Sequence, residues 1–254
     1  MKDQAESARQ ALRLMDLTRL EDDVDEQPVR ALCTRVSGLS VYPAAVCVYP
    51  RFVPTARRTL EQHGLADRIK LATVANFPGG DSNVKIAFDQ TKQAIALGAD
   101  EVDVVFPWQA LIAKNGFIGL QLVQRCKTAC GDRILKVILE TGKLTTPERI
   151  REAAELAIVG GADFLKTSTG KVATNATPEA ARVVLETIAG SAHNVGFKVS
   201  GGVRTLADAK AYMNLATEIM GKDWMAPNHF RIGASGLLDD LLAIIDKTPG
   251  GSSA

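Results

Sequence analysis

Neither sign of charge is in excess in this sequence: 30 Lys and Arg stand against 29 Asp and Glu, and the basic residues are scattered. That leaves no electrostatic footprint for nucleic acid or an anionic membrane, so any anionic ligand has to be met locally. Long apolar runs are lacking as well. No stretch approaches the ~20 residues of a membrane span. The start, MKDQAESARQALRLMD, is charged and has the period of an amphipathic helix rather than a signal core. These absences point to a cytoplasmic protein with neither a nucleic-acid nor a membrane partner. The four cysteines, at 33, 47, 126 and 130, form no C-x-x-C pair, and Cys126 and Cys130 are spaced to share a helical face. Reduced thiols and no bound metal are expected. His63, His193 and His229 share no spacing that would mark a general base, and Trp108 and Trp224 read as packing residues.

What is present is alternation. Short apolar, β-branched runs (LRLMDLT, AAVCVY, IKLATV, EVDVVF, ILKVILE, DFLKTS, VGFKVS and HFRIGA) are separated by segments whose apolar positions recur every three to four residues. Starts such as T-P-E-R and T-P-E-A place a Thr cap before a Pro in the first turn, and G-A-D follows the helical segments. The unit recurs every ~30 residues, enough for a strand, a crossover helix and two loops. The strand runs read as apolar on both faces, as buried parallel strands are. Eight such units predict an α/β fold, a (β/α)8 TIM barrel preceded by an N-terminal helix. The rival, an open doubly wound sheet, would carry a glycine-rich fingerprint after its first strand, and MDLTRLEDD has none. With no linker or charge block, residues 1–254 read as one domain, and the tail TPGGSSA, about 248–254, as flexible.

The stretch DFLKTSTGK, Asp163 to Lys171, puts a lysine at the end of a buried strand and a Gly-Lys pair just beyond it. A phosphate-binding P-loop would need Gly at 165 and Ser or Thr at 172, where Leu165 and Val172 stand. Lys166 therefore needs another explanation. In barrels of this kind functional side chains project from the C-terminal strand ends, which here offer Asp16, Cys47, Asp103, Lys166 and Lys198. A free lysine is neutral in roughly one molecule of a few thousand at pH 7. Burial and a neighbouring ammonium both disfavour the cation, so Lys198 on the next strand would help make Lys166 a nucleophile for a Schiff base. Asp103, alone among apolar neighbours, is placed to relay protons through a water. A plain structural ion pair is the simpler account of any one of these charges, but three converge on one mouth. Gly201, Gly202, Gly233 and Ser235 lie in the last two loops, where barrels often bind phosphate, and Gly170 and Lys171 would add an amide and a charge. Asp16, Cys47 and Thr169 are expected at the pocket wall.

The segments LMDLT, CVYPRF, ATVANFPGG, GADEVDVVFP, LKVILETG, GADFLKTSTGK, NATPE, GFKVSGGVRT and FRIGAS, in this order, resemble the deoxyribose-phosphate aldolase family over nearly the whole chain. The resemblance implies a class I aldolase that reversibly splits 2-deoxy-D-ribose 5-phosphate into acetaldehyde and D-glyceraldehyde 3-phosphate, with no metal or organic cofactor. It implies that Lys166 forms the Schiff base, that Lys198 perturbs it and relays protons, and that Asp103 completes the relay. Its expected partners are a sugar phosphate and aldehydes, and its expected assembly a homodimer. Two departures stand out. Some members end in a tyrosine that aids proton transfer, whereas this chain ends GGSSA, and Gly236 stands where a second serine often follows Ser235. Two rival functions share the phosphate loops: a different barrel enzyme acting on a sugar phosphate, and a catalytically silent barrel that binds a phosphorylated metabolite.

Overall fold

The computed structural model describes residues 2–21 and 25–247; the tail expected to be flexible, 248–254, lies outside them. Eight strands, β1 (Met15–Arg19), β2 (Ala45–Val48), β3 (Lys70–Ala75), β4 (Glu101–Val105), β5 (Ile134–Ile138), β6 (Phe164–Lys166), β7 (Gly196–Ser200) and β8 (Phe230–Ala234), pair in parallel in chain order. The pairing of β1 with β8 closes the barrel. All eight fall on the apolar runs of the sequence, most within one or two residues at each end, while β1 begins three residues into LRLMDLT, whose first residues close α1.

Eleven α-helices accompany them: α1 (Lys2–Arg13), α2 (Gln27–Ser37), α3 (Val53–Gln62), α4 (Val84–Ala96), α5 (Trp108–Ile112), α6 (Gly116–Cys130), α7 (Thr141–Leu144), α8 (Pro147–Val159), α9 (Pro178–Ala189), α10 (Leu206–Met220) and α11 (Leu237–Asp246). The threonine signals act as caps. Thr146 accepts from the Arg149 amide and Thr177 from the Ala180 amide, each with proline in the first turn. Thr205 and Asp208 form a reciprocal capping box at the start of α10. Helix α1, the expected N-terminal helix, packs on α10 and α11, outside the ring of crossovers.

The main apolar core lies between strands and helices, with a smaller cluster of Leu20, Ala45, Cys47, Ala72 and Val74 at β2 and β3. The strands are not apolar on both faces, as the sequence suggested. Asp16, Glu101, Asp103, Lys136, Lys166, Lys198 and Arg231 are all buried on strands β1 and β4–β8. Such charges are tolerated inside a barrel only where they pair, and these do.

Close approach of strand to strand makes one glycine a stability test. A Cβ on Gly196 would stand 2.4 Å from the Phe164 ring and 2.8 Å from the His229 carbonyl oxygen. That oxygen is already held by the Phe197 amide at 2.7 Å. Gly196→Ala should therefore destabilise the barrel by about 1–3 kcal/mol, the usual range for overpacking, seen in a thermal melt as a drop of roughly 2–10 °C. An unchanged melting temperature would show that β6 and β7 have slack at this point.

Candidate active site

The pairing of strands puts the charged side chains side by side. In the sheet register Asp103 lies opposite Lys136, Lys166 opposite Lys198, and Lys198 opposite Arg231. Asp103 receives three ammonium groups: Lys136 at 2.9 Å, Lys166 at 2.9 Å and Lys198 at 2.8 Å. Lys198 also donates to Asp16 at 2.5 Å, and Lys136 lies 2.5 Å from Glu101 and 3.6 Å from Asp16. Arg231 closes the network, donating to Asp16 at 2.7 Å and to Glu101 at 2.8 Å. Three carboxylates thus face four cations. Lys136, Lys198 and Arg231 each have at least two carboxylates, whereas Lys166 pairs with Asp103 alone among the described residues.

That imbalance sets which ammonium holds its proton least firmly. Burial lowers the pKa of Lys166, Asp103 opposes it and Lys198 reinforces it, and the balance falls below the ordinary lysine value. Burial also disfavours the Lys198 ammonium, but Asp103 and Asp16 outweigh it and raise its pKa. The same competition, won by Asp103, Glu101 and Asp16, holds Lys136 protonated. Against the desolvation that would protonate it, Asp103 is kept well below the usual carboxylate range by Lys136, Lys166 and Lys198. Lys136, Lys198 and Arg231 match the three buried carboxylates in number, which leaves Lys166 as the surplus cation, and its pKa is the one of the three lysines that is lowered.

A cavity of about 470 Å3 adjoins this network at Gly233, although none of the network's charged side chains lines it. Gly170, Lys171, Gly201, Gly202, Gly233 and Ser235 all line it, with Thr169, Ser200, Arg204 and Gly236. A Cβ on Gly233 would meet the Lys198 side chain at 2.8 Å, so the absent side chain makes room for Lys198 at the cavity's inner edge. Gly201 and Gly202 have φ of +87° and +92°, open to glycine at little strain. Gly236 is the N-cap of α11, which directs the start of that helix to the cavity. A larger cavity of about 920 Å3 is lined by α7, α8, α9, α10 and their loops and by no residue of a barrel strand.

The other expected wall residues divide. Thr169 lines the cavity. Asp16 is fully buried within the ion network. Cys47 is also fully buried, and burial pushes its thiol up to about 11 although Lys198 works the other way. His229 stacks on Trp224 with ring centroids 5.6 Å apart, and His63 lies beside Thr34, so neither joins the network. Glu101, Lys136, Arg231 and Glu140 were not singled out from the sequence. Their signal was a charge inside or just after an apolar strand run, as in ILKVILE and HFRIGA. Arg204 was present in the GGVR motif but not read as a cavity residue.

The DeoC/LacD family aldolase profile matches residues 10–241. Among solved structures, the apo form of a protein from Toxoplasma gondii, provisionally named a deoxyribose-phosphate aldolase, is 25% identical with a TM-score of 0.91, covering 98% of this chain and all of its own. A protein from Coccidioides immitis with the same provisional name is 26% identical with a TM-score of 0.82, covering 93% of this chain and 86% of its own. The deoxyribose phosphate aldolase from Aeropyrum pernix, described as tetrameric, shares the fold at 21% identity and a TM-score of 0.74, covering 95% of this chain and 97% of its own.

Removing one cation tests the network as a structural unit. Lys136→Met should cost about 3 kcal/mol or more, because it leaves buried carboxylates short of a partner. Adding Glu101→Gln should return part of that loss. Urea unfolding midpoints would read both, and a neutral Lys136→Met would mean that the remaining cations already satisfy the carboxylates.

Proposed function

This chain belongs to the DeoC/LacD aldolase family, and within it we propose a Schiff-base aldolase that reversibly cleaves 2-deoxy-D-ribose 5-phosphate to acetaldehyde and D-glyceraldehyde 3-phosphate. The observation that carries the reading is the single partner of Lys166: the one buried amine with only one carboxylate is the one whose proton is least well held. A neutral amine at the mouth of a barrel is what attack on an aldehyde carbonyl requires.

In this reading the phosphate end of the open-chain sugar occupies the 470 Å3 cavity, on the glycine-rich turns, Ser235 and the start of α11. Anchoring there brings C1 to Lys166 and converts binding energy into orientation. The amine adds to C1, water leaves, and an iminium forms. Loss of the proton from the C3 hydroxyl lets the C2–C3 bond break, releasing the phosphorylated aldehyde while the bonding pair passes into an enamine. A proton returned to C2 and hydrolysis of the imine then free acetaldehyde and restore the amine. Lys198 and Asp103, 2.8 Å apart and both touching the Lys166 environment, are the pair we assign to this proton traffic through water. Three features support this assignment: their burial, their opposed pKa shifts and the contact of Asp103 with both Lys198 and the nucleophile. Lys136, Glu101 and Arg231 hold that pair in register. A barrel that binds a phosphorylated metabolite without chemistry is the second reading, and the lowered pKa of Lys166 beside Asp103 and Lys198 counts against it.

Two measurements test the assignment. Acetaldehyde with borohydride should leave an ethyl adduct on the parent protein, seen as a gain in intact mass, and none on Lys166→Leu; no adduct on either would leave the metabolite-binding barrel as the better reading. The rate of imine formation should rise with pH as Lys166 loses its proton. Lys198→Leu removes a cation that lowers the Lys166 pKa, so its rate profile should move to higher pH. A profile that stays in place would assign the shift to burial alone.

A further inference from the structure

Glu140 lies two residues beyond β5 and outside the ion network, yet its side chain is fully buried. Its backbone has φ 57° and ψ 57°, the left-handed region that a residue with a Cβ rarely occupies. The flanking amides hold it there: Leu139 donates to the Lys166 carbonyl at 2.8 Å and Thr141 to the Thr167 carbonyl at 2.9 Å. The exit of β5 is thereby stitched to the exit of β6. The unusual backbone turns the Glu140 carboxylate toward Thr169, which it grips twice. Oε1 accepts from the Thr169 amide at 3.2 Å and Oε2 from the Thr169 hydroxyl at 2.6 Å.

The second bond fixes the direction of a third. Since the Thr169 hydroxyl proton is given to Glu140, its oxygen is free to accept, and it accepts from the Lys171 amide at 3.1 Å. Glu140, Thr169 and Lys171 therefore form one directed chain across the Gly170 turn, whose φ is +82°. Thr169, Gly170 and Lys171 line the 470 Å3 cavity, and Glu140 does not. Beyond the turn the Lys171 ammonium reaches across to the Leu20 carbonyl at 2.5 Å.

We propose that Glu140 is a positioning residue for the phosphate end of the site, fixing through Thr169 the turn that sets the anion's distance from Lys166. This inference rests on the aldolase reading above and assigns the specificity of that same site. The carboxylate form is required, since only an acceptor at both oxygens can take both Thr169 donors. Burial raises the Glu140 pKa, the two Thr169 bonds work against that rise, and Lys166 and Lys143 are the cations that face it. A purely structural carboxylate would support both halves of the substrate equally. A positioning one acts on the phosphate.

The test compares 2-deoxyribose 5-phosphate with unphosphorylated 2-deoxyribose, following acetaldehyde release. In Glu140→Gln the ratio of kcat/KM for the phosphorylated over the unphosphorylated sugar should fall about tenfold, chiefly through KM for the phosphorylated one. Thr169→Val, which breaks the same link from its other side and serves should Glu140→Gln fail to fold, should give a similar fall. The double variant should be no worse than either single one within about twofold, because both remove one interaction. Thr169→Ser, which keeps the hydroxyl, should retain the parent ratio. Equal losses on both sugars, or an unchanged ratio in an active parent background, would overturn the inference alone. A parent that forms no imine with acetaldehyde would overturn it together with the reading on which it rests.

Discussion

Asp103 is the constraint around which the barrel's interior is arranged. One carboxylate shared by three ammonium groups at 2.8–2.9 Å is far from the simple pair that a buried charge usually requires. It holds because two of the three cations have other carboxylates to turn to. Asp16 and Glu101 take up Lys198, Lys136 and Arg231, and Lys166 is left with the weakest claim. The desolvation that would be a liability for a fully paired charge becomes, for Lys166, the main force that lowers its pKa.

This arrangement separates stability from chemistry within one layer of side chains. Lys136 and Arg231 each have at least two carboxylate partners, Glu101 among them, so their task is to hold the carboxylates in place. Lys166, Lys198 and Asp103 are equally buried, and Gly233, which lines the cavity, gives up its own side chain to make room for Lys198. The turn after β6 carries both functions within a few residues, since Lys166 belongs to the ion network and Thr169 to Lys171 belong to the cavity. Glu140 holds the turn between them.

Much of the fold was legible because a parallel barrel repeats one local pattern eight times. Each apolar run became a strand, and the Thr-Pro starts became capped helices, since both signals are local. The expectation that strands would be apolar on both faces was wrong on the inner face. A charge flanked by valines looks like an exception when each run is read alone, and six strands were contributing to one network.

The sequence by itself determined the barrel, the caps, and the presence of a lysine at a strand end followed by a glycine-lysine turn, because all of these are written in neighbouring residues. It also singled out Lys166, Lys198 and Asp103 as the converging charges. Only the tertiary structure decided which lysine is short of a partner. That depends on Asp16, Glu101, Lys136 and Arg231, residues up to 215 positions apart whose burial and distances exist only once the barrel closes. An amine's proton affinity is set by the sum of the charges around it and by the loss of water, and neither is a property of its own stretch of chain.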